Sequence, residues 1–234
     1  MPRAPLRLTP ELVERVARIE PDEGYEPHVE VFSDTDYEDH LQEFLAPSMP
    51  DDPIWVFAYG SLIWKPGFAH VETRRGVAEG WQRSFCLRIT RFRGTRAQPG
   101  LMMQLDRGGS CEGLLMRLAP GVELDELRGL WRREMSAKPP SNMPRWIDVT
   151  SGPETIRAIA FTANPAKDNY DCGLPADQVA ETLVLAAGHW GSGAEYLFHT
   201  VTALERAGIH DPYLWELQEM VAERIAALPP VNRS

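Results

Sequence analysis

Residues 100–119, GLMMQLDRGGSCEGLLMRLA, set two apolar runs of strand length on either side of Arg107-Gly108-Gly109-Ser110. Glycines accept positive φ, so the polar tetrad predicts a tight turn and the flanking runs a β-hairpin. Upstream, IWVFAYG (54–60) reads as a buried strand entering a turn, followed by VETRRGVAEGW (71–81) and RSFCLRIT (83–90). Downstream, WIDVT (146–150) and TIRAIAFTA (155–163), separated by SGPE, predict a second hairpin. Helical spacing appears over 123–137, 175–188 and 193–227, and Thr9-Pro10 ahead of Leu12, Val13, Val16 and Ile19 predicts a short helix near the N-terminus. The expected fold is α+β: a compact β-barrel of six or seven mostly antiparallel strands with helices packed outside. Strands and helices do not alternate, and GxGxxG and P-loop motifs are absent, which excludes a doubly wound nucleotide-binding sheet.

Composition narrows the class. The chain has 234 residues, 43% of them hydrophobic, with seven Trp, six Tyr and eight Phe, which excludes extensive disorder. No apolar stretch approaches the ~20 residues of a membrane span, and the first residues lack a secretory core. A cytoplasmic protein without a membrane partner is expected. Cys86, Cys111 and Cys172 are scattered and the six His lack HExxH spacing, so reduced thiols and no metal are expected.

The net charge of −10 is unevenly placed. Residues 20–52 hold twelve acids and no Lys or Arg, whereas 53–234 carry twenty charges of each sign. The expected organisation is an acidic N-terminal extension with a short helix over 1–52 and the main folded domain over 53–234. Tyr25, Phe32, Tyr37 and Phe44 in the extension argue that it lies across a folded body.

Four segments could carry chemistry. On the helix ELDELRGLWRREM (123–135), a turn of about 100° per residue puts Leu124, Leu127, Leu130, Trp131 and Glu134 on one stripe, with Arg132 and Arg133 pointing away. A carboxylate among apolar neighbours is driven toward protonation, which suits a general base or acid; the plainer reading is a helix-end Glu turned to solvent or paired with an arginine. In Val56-Phe57-Ala58-Tyr59-Gly60-Ser61-Leu62 a strand ends in a glycine turn, whose successive N–H groups favour a carboxylate or oxyanion or simply end a strand. Arg74, Arg75, Arg83, Arg88, Arg91, Arg93 and Arg96 form a cluster in a neutral region, which fits one or two grips on a small anion and no nucleic-acid partner. Ser192 and Glu195 have capping-box spacing, and Tyr196 lies in the first turn they open, reaching a site or sealing the core.

Together WVFAYGSLIWKPGF (55–68), GWQRSFCLRIT (80–90), RGTRAQPGLMMQLDRGGSCEG, LWRREM (130–135) and AEYLFHTVTALERAGI (194–209) resemble the ChaC-like γ-glutamylcyclotransferases, in the same order from Trp55 to the last helix. The resemblance implies a γ-glutamylcyclotransferase-like barrel that cleaves glutathione into 5-oxoproline and cysteinylglycine without a metal or organic cofactor. It also implies Glu134 as catalytic glutamate, and Tyr59, Gly60, Ser61 and Leu62, led in by Val56, Phe57 and Ala58, as the γ-glutamyl-binding loop. Tyr196 is taken with them as substrate-binding. Alternatives within the same resemblance are cyclisation of another γ-glutamyl amide or amine, and a non-catalytic module that keeps the pocket. Two stretches depart from the family pattern: Ser136–Met143 has no tyrosine ahead of Pro144-Arg145-Trp146, and Ser192-Gly193-Ala194 has no asparagine before Glu195.

Overall fold

The computed structural model describes residues 5–46 and 53–229. The chain divides into two compact units, one of Glu26–Ser84 with Gln104–Tyr170, the other of Met1–Tyr25, Phe85–Met103 and Asp171–Ser234.

The first unit is built on a closed five-strand barrel. Its strands are β2 (Trp55–Ala58), β3 (His70–Ile89), β4 (Gly100–Leu118), β6 (Asn142–Ser151) and β7 (Glu154–Ala163), in the order β2-β4-β3-β6-β7. Two-residue strands β1 (Glu30–Val31) and β5 (Ala137–Lys138) pair with each other outside it. β2 lies antiparallel to β4 from Trp55↔Arg117 to Ala58↔Leu114 and parallel to β7 at Val56↔Ile159, which closes the sheet. The 146–163 hairpin forms as expected and runs longer, pairing Asn142↔Ala163 through Ser151↔Glu154, with Gly152 turning at φ +58°.

The hairpin expected at Arg107–Ser110 does not form. β4 runs unbroken through the tetrad, with Gly108 at φ +124° and Gly109 at φ +55°. Positive-φ glycines serve a bulge as readily as a turn, and the Gln82 amide, whose Nε2 donates to the Arg107 carbonyl at 3.4 Å, fills the space beside them. The runs 71–81 and 83–90 likewise join into β3. Seven apolar runs therefore make five barrel strands rather than six or seven; the pairings are mostly antiparallel, as expected, with β2 and β4 each parallel to β7 at one position.

Two helices cover this barrel. α4 (Glu123–Glu134) buries Leu127, Leu130 and Trp131 against Ile159 and Phe161 of β7. α2 (Asp34–Leu45), unread in the acidic extension, is started by a capping box between Ser33 and Asp36 and buries Leu41 and Leu45 in the same core. The extension's aromatics pack as anticipated: Phe44 stacks on Trp146 at 5.5 Å, and Phe32 on Tyr37 at 5.0 Å. Its acids are paired, not merely solvated: Glu38 with Arg128 at 2.8 Å, Asp34 with Arg132 at 3.0 Å, and Asp36 and Glu30 with Lys138.

The second unit is mostly helical: α1 (Pro10–Val16), α5 (Ala176–Leu185), α6 (Gly193–Arg206) and α7 (Pro212–Ala227), with β8 (Ala187–Gly188) paired to β9 (Gly191–Ser192). Thr9 caps α1, which buries Val13 and Val16 but leaves Ile19, beyond its end, exposed. The backbone N–H groups of Arg7 and Leu8 both donate to Oε1 of the buried Gln218 of α7. The pattern read as one helix over 193–227 is broken at Gly208. There a Schellman closure joins Gly208 N to Glu205 O and Ile209 N to Leu204 O, before Asp211 and Pro212 start α7. Among the described residues no helix is long and apolar enough to cross a membrane.

Candidate active site

The glycine turn after β2 is held from three sides. Val56, Phe57 and Ala58 are fully buried, so their side chains belong to the core. Tyr59 turns inward and its hydroxyl donates to the Phe161 carbonyl at 2.8 Å. From β3, buried Arg83 donates through Nε to the Tyr59 carbonyl at 2.7 Å and through Nη2 to the Glu112 carbonyl at 2.6 Å. From β4, Gly113 lets the backbone come close, since a Cβ there would stand 2.6 Å from the Ala58 oxygen. Past Gly60 the chain enters the one-turn helix α3 (Ser61–Trp64), which buries Leu62 and leaves Ser61 partly exposed.

Glu134 is the last residue of α4, on the stripe its spacing predicts. Its side chain keeps only 15% of its exposure, and Asn142 Nδ2 donates to Oε2 at 3.3 Å. Burial pushes the carboxyl above its ordinary range, against the opposing pull of the Arg133 charge and the Asn142 bond. A carboxylate at a helix C-terminus also meets the negative end of the helix dipole, which acts in the same direction as burial.

Arg133 does not point away as the helical projection suggests. Its Nε lies 3.2 Å from Glu134 Oε1, Nη2 donates to Ser61 Oγ at 3.2 Å, and Nη1 reaches the Lys65 and Pro66 carbonyls. One guanidinium thus joins the carboxyl of α4 to the turn after β2, the two segments singled out in the sequence. The projection tracks Cα–Cβ directions and says nothing of where a long side chain ends, which is why Arg133 went unread.

The other expectations meet different environments. Tyr196 belongs to the second unit, where it is buried, sits edge-on to Phe85 at 6.1 Å and lies beneath the Arg93 guanidinium. Ser192 caps α6 through the Glu195 N–H, but the Glu195 carboxylate turns to Arg93 at 2.7 Å instead of closing the box. The arginine cluster is largely paired within the chain. Arg74 pairs with Glu72, Arg75 with Glu112, Arg88 with Asp171, Arg91 with Asp22 and Arg96 with Glu23, while Arg83 and Arg93 are buried. Among the described residues no group of three or more His, Cys, Asp or Glu could hold a metal ion.

Residues 54–224 match the family model described as ChaC-like protein. The chain belongs to the ChaC-like family. Among its curated relatives, the glutathione-specific γ-glutamylcyclotransferase of Escherichia coli K12 is 37% identical to this ChaC-like chain over 180 residues, covering 76% of the chain and 77% of the relative. Arabidopsis thaliana γ-glutamylcyclotransferase 2-3 is 31% identical over 72% of the chain and 88% of its own length. Mouse glutathione-specific γ-glutamylcyclotransferase 1 is 30% identical over 80% and 85%. A crystal structure of a yeast γ-glutamyl cyclotransferase specific to glutathione superposes with a TM-score of 0.66 at 19% identity, covering 74% of this chain and all of that one, and so shares the fold.

Arg83 was hidden in the sequence because a buried arginine and a surface one look alike there. Arg83→Leu keeps the apolar stem but leaves the Tyr59 and Glu112 carbonyls without their donor. A loss on the order of 1–3 kcal/mol is expected, read as a lower melting temperature, with a raised KM as the turn loosens.

Proposed function

We propose that this ChaC-like chain is a lyase that cleaves glutathione to 5-oxoproline and cysteinylglycine, with its chemistry housed in residues 53–234. The γ-glutamyl α-amino nitrogen must attack the γ-carbonyl carbon of its own side chain. At neutral pH that nitrogen carries a third proton and cannot attack. Glu134 Oε accepts the proton, the new C–N bond closes a five-membered ring, and the carbonyl electrons move onto oxygen. As they return, the bond to the cysteinyl nitrogen breaks and Glu134 delivers its proton to that leaving nitrogen; the ring nitrogen gives up its second proton to the freed amine, so 5-oxoproline leaves as the neutral lactam and cysteinylglycine as the ammonium form. No water is consumed, and the intramolecular geometry removes much of the entropic barrier.

Backbone N–H groups of Tyr59, Gly60, Ser61 and Leu62 are assigned to the substrate carboxylate or the developing oxyanion. Arg83 and Arg133 hold that turn in place. A cytoplasmic location is part of the same proposal, supported by three free cysteines.

The observation that carries the reading is Glu134 itself: a carboxyl nearly out of water, tied through one guanidinium to the glycine turn. The test is chromatographic detection of 5-oxoproline and cysteinylglycine after incubation with glutathione. Both products are expected from wild type and not from Glu134→Gln. Turnover of other γ-glutamyl compounds alone would move the substrate assignment, and binding without turnover of any would leave a non-catalytic module.

A further inference from the structure

Asn142 opens β6 with its amide against the Glu134 carboxyl, Nδ2 donating to Oε2. Its other half, Oδ1, is sealed from solvent and has no hydrogen-bond partner among the described residues. A buried unpaired oxygen costs stability and calls for an explanation. Here the reaction supplies one. A group that serves first as base and then as acid makes two demands on its neighbour, because a carboxylate only accepts hydrogen bonds whereas a carboxylic acid also donates one. An amide can meet both demands, since half a turn about χ2 exchanges its NH2 and its oxygen.

In the observed orientation Nδ2–H serves the carboxylate. Turned over, Oδ1 stands where Nδ2 stood and accepts from the protonated carboxyl. Each orientation keeps one bond to Glu134 and leaves the other half of the amide unpaired, so the turn forfeits no hydrogen bond. Were Oδ1 already bonded elsewhere, it would.

We propose that Asn142 is a positioning residue whose amide turns with the protonation of Glu134, holding that carboxyl in one place as base and as acid. This rests on the reading of Glu134 as proton carrier. The groups facing the carboxyl are Asn142 from β6 and Arg133 from its own helix, with Ser61 of α3 acting through Arg133. Among the described residues Arg133 is the one charge that acts on it.

The test is the pH dependence of kcat and kcat/KM on glutathione for wild type, Asn142→Leu and Asn142→Asp, where ionisations of the substrate are common to all three. Asn142→Leu loses both functions of the amide, and kcat is expected to fall about tenfold, the worth of one hydrogen bond to a charged group. Its acid limb should stay close to that of wild type, because the carboxylate loses a donor and the protonated carboxyl an acceptor. Asn142→Asp should move that limb to higher pH, since a second carboxylate repels the charged form and still accepts from the protonated one. Thermal melting checks that each variant folds, and Asn142→Asp, which preserves size, decides if the leucine variant does not. A folded Asn142→Leu with wild-type kcat, or with an acid limb moved up as the loss of a fixed donor would move it, overturns the proposal, as does an Asn142→Asp limb that does not move. A wild type that makes no 5-oxoproline, or a Glu134→Gln that matches it, instead removes the reading beneath it.

Discussion

Glu134→Gln is expected to lower kcat/KM on glutathione by about 10²–10⁴-fold, the usual cost of losing a general acid–base group, while leaving the protein at least as stable at neutral pH. The two effects have one origin. Gln keeps the shape of Glu and can still bond to Asn142, but it cannot take the proton that keeps the substrate amine from attacking. It also carries no charge to be buried. The sign of the stability effect follows from linkage: a carboxyl whose pKa is higher in the folded state than in the unfolded chain binds its proton more tightly when folded. Below the ordinary value of 4.5 both states are protonated and wild type and variant should melt together. As pH rises from there through the raised folded value, wild type loses stability that the variant keeps. The difference in melting temperature should open over that window and stay open at neutral pH. Loss of activity accompanied by a lower melting temperature at neutral pH would mean that the ionised carboxylate is a net structural ion pair with Arg133.

Removal of residues 1–50 should abolish folding, although none of the groups assigned to catalysis lies there. In one unit the cut takes away Leu8, Val13 and Val16, and in the other Leu41 and Leu45, all nearly or fully buried. Each such side chain is worth about 1.5–3 kcal/mol, so five of them rival the whole 5–15 kcal/mol of a typical domain. The truncation also strips Phe44 from Trp146, and the His40 ring nitrogen from the indole N–H of Trp131, which donates to it at 3.1 Å. Circular dichroism and expression yield would report the outcome. A truncated protein with wild-type melting and activity would show the extension to be dispensable.

These two outcomes mark what could be read from residues alone. Glu134 was legible because helical geometry is regular: one charge on a stripe of Leu127, Leu130 and Trp131 stands out. The barrel class was legible from consecutive strand-length runs, but the strand count was not, since Gly108-Gly109 suits a turn and a bulge equally and only the facing Gln82 decides between them. α2 was obscured by its acids, whose partners Arg128, Arg132 and Lys138 lie roughly a hundred residues away; the Ser33-x-x-Asp36 capping signal was its one local trace. Arg83, Arg133 and Asn142 were beyond reach for a common reason. Their roles depend on where a side chain ends, and periodicity fixes only where it begins.

The most direct measurement is the titration of Glu134 in the free protein, followed by the carbon-13 signal of its side-chain carboxyl and assigned by its disappearance in Glu134→Gln. A midpoint above the normal glutamate range is the result predicted for a proton carrier deprived of water. A midpoint at or below that range would mean an acid already satisfied as an anion, and would contradict the account.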